Sequence, residues 1–94
     1  MAKVIVSHHV SDYDQWYPVF KEHGEVRRTH GATGHTVTRT VENPNQLVVV
    51  NEFASVEGAR AFMADPSLAD AMQRAGVDGA PTIYLVDEVE SVSY

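Results

Sequence analysis

The alternation of apolar and polar positions divides the 94 residues into short strands and two helical stretches. Val4 to Val10 (VIVSHHV) is rich in β-branched residues and too short for a helix, which predicts a strand. Ser11-Asp12-Tyr13-Asp14 carries the S-x-x-D pattern of a helix start, and Pro18, lacking an amide donor, fits the first turn of a helix. The main helix is therefore expected to begin near Trp16–Pro18, after a tight turn. Trp16, Val19, Phe20, His23, Val26 or Arg27, and His30 then recur at helical spacing, an inward stripe that Gly31 and Gly34 terminate.

His35 to Val41 (HTVTRTV) alternates, and Leu47 to Phe53 (LVVVNEF) is a nearly continuous apolar run. Glu42-Asn43-Pro44-Asn45 between them supplies turn chemistry, so the two predict a hairpin. Ser55 caps a second helix with Ala59, Phe62 and Met63 on its apolar side. Asp65-Pro66 interrupts it, and Pro66 restarts a further turn or two through Leu68, Met72 and Ala75. Gly76 to Pro81 reads as a loop, and Thr82 to Val86 (TIYLV) as the last strand.

The resulting order, β-α-β-β-α-β, is the ferredoxin-like α+β arrangement: a four-stranded antiparallel sheet with both helices on one face, in a single domain spanning residues 1–94. The helices cover one face only. The strands nevertheless carry apolar residues in both registers, Leu47, Val49 and Phe53 on one side and Val48 and Val50 on the other. An uncovered face should be polar, so a homodimer with two sheets meeting face to face is expected.

Composition narrows the function classes. Seven basic against thirteen acidic side chains give a net charge of −6, which argues against a nucleic-acid or anionic-membrane partner. The absence of cysteine excludes disulfides, thiol catalysis, iron–sulfur clusters and Cys-rich zinc sites. The apolar run Val4-Ile5-Val6 is far shorter than a signal-peptide core or a membrane span, so a cytoplasmic location is expected.

With these elements in place, the sequence resembles the dimeric α/β-barrel superfamily, and within it the small antibiotic biosynthesis monooxygenase-like proteins. The likeness runs through VIVSHHV, DYDQWYPVFKEH, GHTVTRTVENPNQLVVVNEF, ARAFMADPSLADAMQRAGV and the strand after GAP. It implies a ligand pocket between sheet and helices in each subunit. It also implies oxidation or rearrangement of an aromatic or polyketide-like substrate without metal or organic cofactor, the substrate's own acidic carbon or phenolate meeting oxygen. The same superfamily includes haem-degrading enzymes and proteins with no assigned activity. The haem-degrading branch has an asparagine on the first strand and a ligating histidine late in the second helix. Here those positions fall near His8 and Met72, and no histidine occurs in Ala54–Ala80. A non-catalytic ligand-binding or stress-response dimer of the same fold is the alternative.

Five histidines in a chain this short draw attention to acid–base chemistry. His8 shares its register with Val4, Val6 and Val10 and is expected under the helices, whereas His9 goes with Ile5 and Ser7 to the other face. His23 lies on the inward helical stripe, so His8 and His23 are candidate catalytic residues, with pKa values suited to taking a proton from a phenol or activated carbon. Trp16, Phe20 and Phe62 are candidate aromatic walls. Asn51, interrupting a buried strand, predicts either a ligand contact or a dimer-interface hydrogen bond. Arg39 is a candidate anchor for an acidic or carbonyl group, or an ion-pair partner of Glu52 across the hairpin; Tyr84 is a candidate donor to a substrate oxygen. A His-based metal site is the sharper alternative, but no H-x-x-x-H or H-E-x-x-H occurs, and no metal ligand is assigned.

Overall fold

The computed structural model describes all residues, Met1–Tyr94. The elements are β1 (Ala2–Val10), α1 (Tyr13–Glu22), α2 (Gly24–Thr29), β2 (Ala32–Arg39), β3 (Gln46–Phe53), α3 (Val56–Met63), α4 (Pro66–Arg74) and β4 (Val77–Asp87). The strands form one sheet in the order β2-β3-β1-β4, and every neighbouring pair is antiparallel. The ferredoxin-like order is thus realised, each helical stretch being split into two helices.

Strand parity decides which side chains reach the helices. Val4 lies opposite Asn51, Val6 opposite Val49 and His8 opposite Leu47. The even-numbered residues of β1 and the odd-numbered ones of β3 are therefore on one face, and the burial of β1 and β3 alternates in step. His9 projects to the opposite face, where its ring nitrogen lies 3.5 Å from the Asp78 carboxylate.

Three boundaries differ from the sequence-based expectation. The first helix begins at Tyr13, because Asp12 rather than Ser11 is the N-cap and accepts the amide of Asp14 at 3.0 Å. Pro18 consequently sits inside α1, on its exposed side, at the cost of one backbone hydrogen bond. The helical stripe breaks at His23, before Gly24, a poor helix former. The hairpin strand β2 begins at Ala32 and ends at Arg39, so Gly34 is strand rather than helix terminator; Gly31, with φ of +92°, ends the helix.

β4 is also longer than expected, starting at Val77 instead of Thr82. Gly79 (φ +78°) and Pro81 would disrupt a central strand, but β4 lies at the sheet edge, and a register shift between Ser7 and His9 takes up the irregularity.

α3 starts where expected, with Ser55 accepting the amide of Gly58 at 3.0 Å. A Cβ on Gly58 would stand 2.2 Å from the carbonyl oxygen of His30, so the glycine allows α3 to approach the end of α2. Gly58→Ala is expected to destabilise the fold by about 1–3 kcal/mol despite the better helix propensity of alanine. Urea unfolding measures this directly, and a more stable variant would show that the close approach is not required.

Candidate functional site

Between sheet and helices the apolar core falls into two parts. One gathers Ala2, Val4, Val6, Phe53, Ala59 and Phe62; the other gathers Val10, Trp16, Leu47, Val49 and Ala75. The buried polar residues are His8, His23, Arg27 and Asn51, each at most 7% exposed. All four line a single cavity of about 50 Å³ whose remaining wall is mostly apolar. A small domain has little core to spare, and placing four polar side chains in it is a structural cost that packing alone does not explain.

The sheet supplies two of them. His8 and Asn51 lie on neighbouring strands, separated along the cavity floor by the Val6–Val49 pair. Four residues of extended chain place their positions about 13 Å apart along the strand direction. Neither ring nitrogen of His8 has a hydrogen-bond partner, nor does Oδ1 of Asn51; the Asn51 amide nitrogen reaches the Val4 carbonyl only at 3.5 Å. Burial lowers the pKa of His8 below its ordinary 6.5, so the imidazole is neutral at pH 7.

The helices supply the rest. His23, at the α1–α2 junction, has Nε2 2.9 Å from the Ser67 hydroxyl on α4. Its pKa is also lowered, chiefly by burial and further by the Arg27 charge, against an opposing pull from Asp65. Asp65 caps α4 through the amide of Ser67 and holds the His30 ring at 2.9 Å. Hydrogen bonds from His30 and Ser67 keep its carboxyl at about 2. The second helical pair therefore fixes His23 from outside the cavity, while His8 is held by packing alone.

An aromatic ladder runs along the same wall. Tyr13 stacks on Trp16 at 5.8 Å between centroids, Trp16 on Phe20 at 4.7 Å, and the Arg27 guanidinium lies 3.7 Å over the Phe20 ring. Trp16 also tilts against His8 at 5.8 Å, and His35 meets Phe20 edge-on at 4.9 Å.

Of the residues singled out in the sequence, His8, His23, Trp16, Phe20, Asn51 and Phe62 are brought together around the cavity. Arg39 and Tyr84 are not. Arg39 is exposed at the end of β2, 5.1 Å from the centre of the Tyr13 ring, and Glu52 pairs with Lys3 instead. Tyr84 lies opposite Ile5, on the sheet face away from the helices, and is 57% exposed. Asn51 faces the helices, on the side of the sheet opposite to the one where a dimer interface is expected. Arg27 also lines the cavity; helical spacing from His23 and His30 admits either Val26 or Arg27 on the inward stripe, and the structure buries the arginine. No three His, Asp or Glu side chains gather in a way that could hold a metal ion.

No family model and no curated protein matches the sequence. Solved structures match the fold. SnoaB, a cofactor-independent oxygenase from Streptomyces nogalater, has a TM-score of 0.79 at 14% identity, covering 99% of this chain and 97% of its own. An antibiotic biosynthesis monooxygenase gives 0.71 at 19% identity over 96% and 100% of the two chains. A conserved protein from Methanosarcina mazei Go1 gives 0.74 at 14% over 94% and 92%. The chain has the ferredoxin-like fold of the antibiotic biosynthesis monooxygenase-like proteins.

Proposed function

We propose that this protein is a cofactor-independent oxygenase of small aromatic molecules, with His8 as the base and His23 as the second acid–base group. The observation that carries the reading is the set of unpartnered polar atoms, both nitrogens of His8 and Oδ1 of Asn51, inside one apolar cavity. Buried polar groups without partners are uncommon and point to something that partners them in use. The likeness in fold to SnoaB supports the choice of reaction class.

The chemistry needs little from the protein. For an anthrone-type substrate, neutral His8 removes a proton from the activated methylene carbon, and where the ring system carries a hydroxyl, Asn51 Oδ1 accepts its hydrogen bond. The resulting carbanion transfers electrons to dioxygen and forms a C–O bond. Protonation gives a hydroperoxide, and loss of water leaves the carbonyl. The balance is one methylene plus one dioxygen to one carbonyl plus one water. The flat walls of Trp16, Phe20 and Phe62 orient the ring system and exclude bulk water.

A cavity of about 50 Å³ holds a few waters, whereas ligand pockets span about 300–1,000 Å³. An aromatic substrate therefore enters by displacing the α4 wall, where Leu68 and Met72 are only partly buried and Met72 is readily repacked. The other sheet face, with Ile5, Val48, Val50 and Val86 half-buried and Tyr84 exposed, is the surface on which two subunits meet. Light scattering on the eluting protein should then report twice 10.4 kDa.

The test is oxygen uptake by metal-free protein with anthrone. One dioxygen consumed per anthraquinone formed supports the proposal. Binding of anthrone with no oxygen consumed would reject it in favour of a binding module. Because the base acts in its neutral form with a lowered pKa, kcat/KM should hold down to pH 6.5 and fall only below it.

A further inference from the structure

Beside the cavity lies a second hollow of about 320 Å³, open between α1, α2 and the start of β2. Its character is different. Lys21, Arg27 and Arg28 line it together with His35, and no carboxylate does. Three of the chain's seven basic residues thus meet in one place on a protein of net charge −6. Arg28 is paired with Glu25, but neither Lys21 nor Arg27 forms an ion pair.

Arg27 is the unusual member. It is 5% exposed, no carboxylate neutralises it, and no hydrogen bond from its side chain is formed within the chain. A largely buried guanidinium is ordinarily paired, because desolvation of an isolated charge is costly; the Arg27 nitrogens are unpaired but not sealed from solvent, so they remain within reach of a ligand. Burial lowers its pKa to about 10, which still leaves it cationic at neutral pH. Arg27 and Phe20 line both hollows, so the guanidinium stacked on that ring is the partition between the apolar cavity and the cationic groove.

We propose that the groove is a carboxylate subsite, and that the ligand is an aromatic acid whose ring system occupies the cavity while its carboxylate pairs with Arg27, assisted by Lys21. The aromatic half of this statement rests on the function proposed above; the anion half rests on the groove alone. A planar guanidinium offers paired donors to a carboxylate, and because Arg27 lines the cavity as well as the groove, a ring system held in the cavity brings an acidic substituent toward it.

The test compares 2-naphthoate, 2-naphthamide and acetate by calorimetry, with the Arg27 Nε–H resonance followed in ¹⁵N spectra, on wild type, Arg27→Met and Lys21→Met. Naphthoate should bind wild type about tenfold more tightly than the amide, as a charge-assisted pair does. It should shift the Arg27 resonance, and the preference should fall to within about twofold in Arg27→Met and weaken in Lys21→Met. Methionine keeps the contact with Phe20 and removes an unpaired charge, so that variant is expected to fold. The wild-type comparison of acid and amide requires no variant at all. Equal binding of acid and amide, a preference that persists in Arg27→Met, or no binding of naphthoate at about 10 mM overturns the proposal. Acetate binding as tightly as naphthoate, with the Arg27 resonance moving, would uphold the anion site and reject the aromatic reading of the cavity.

Discussion

His8→Leu is expected to yield a protein that is more stable than wild type by about 1–3 kcal/mol and has no oxygenase turnover. The imidazole is 5% exposed, and neither nitrogen is hydrogen-bonded, so folding removes two polar atoms from water with nothing in return. Leucine has similar bulk and no polar atom, and its neighbours Val6, Trp16 and Val49 are apolar. For a domain of this size the gain corresponds to about 4–8 °C in Tm per kcal/mol. Opposite movement of stability and activity separates a functional histidine from one merely tolerated in the core.

The pH dependence sharpens this expectation. In the unfolded chain His8 titrates near 6.5, while in the folded protein burial pushes its pKa lower. Between those two values the unfolded state binds more protons, so folding stability is complete above 6.5 and is lost as pH falls toward the folded pKa. His23 and His35 shift in the same direction, with burial the leading cause in each. Wild type should therefore weaken on mild acidification, and His8→Leu should weaken less. Thermal melts of both proteins between pH 7 and 5 check this. Identical pH slopes would mean that His8 titrates alike in both states.

Phe53→Ala is expected to cost about 3–5 kcal/mol, a large fraction of the 5–15 kcal/mol available to a small domain. Phe53 is fully buried at the end of β3, and its neighbours across the sheet are Ala2 on β1 and Ala32 on β2. Two small residues flanking one large ring leave no bulky cross-strand neighbour to fill the gap. The ring also packs against Phe62 at 5.4 Å, which fixes a cavity wall. Chemical denaturation should show the midpoint falling sharply with an unchanged slope. A loss below about 1 kcal/mol would mean that this part of the core collapses readily onto the space.

The fold was legible because period-two and helical patterns agree over most of the chain. VIVSHHV assigned His8 inward and His9 outward from parity alone, and the register of β1 with β3 follows that assignment. In TIYLV the same parity has Ile83 and Leu85 in the inner register and leaves Tyr84 outside. Arg39 has inward parity, lying opposite Leu47, yet stands beyond the end of the cavity, a distance that alternation does not encode. The early start of β4 is not legible in the sequence because Gly79 and Pro81 are breakers in general but are admissible in an edge strand, and strand order is a tertiary property. Arg27 was obscured for a related reason. A helical stripe allows either of two adjacent residues inward, and hydrophobicity favours Val26, whereas the structure buries the arginine over Phe20.

Under the proposed function, a ligand in the cavity partners the free nitrogens of His8. Long-range ¹H–¹⁵N spectra of the histidine rings, recorded anaerobically while anthrone is added, test it most directly. His8 is expected to be a neutral ring whose two nitrogen shifts both move as anthrone saturates, alongside smaller changes at His23. Saturable anthrone binding that leaves the His8 nitrogens unchanged would contradict it.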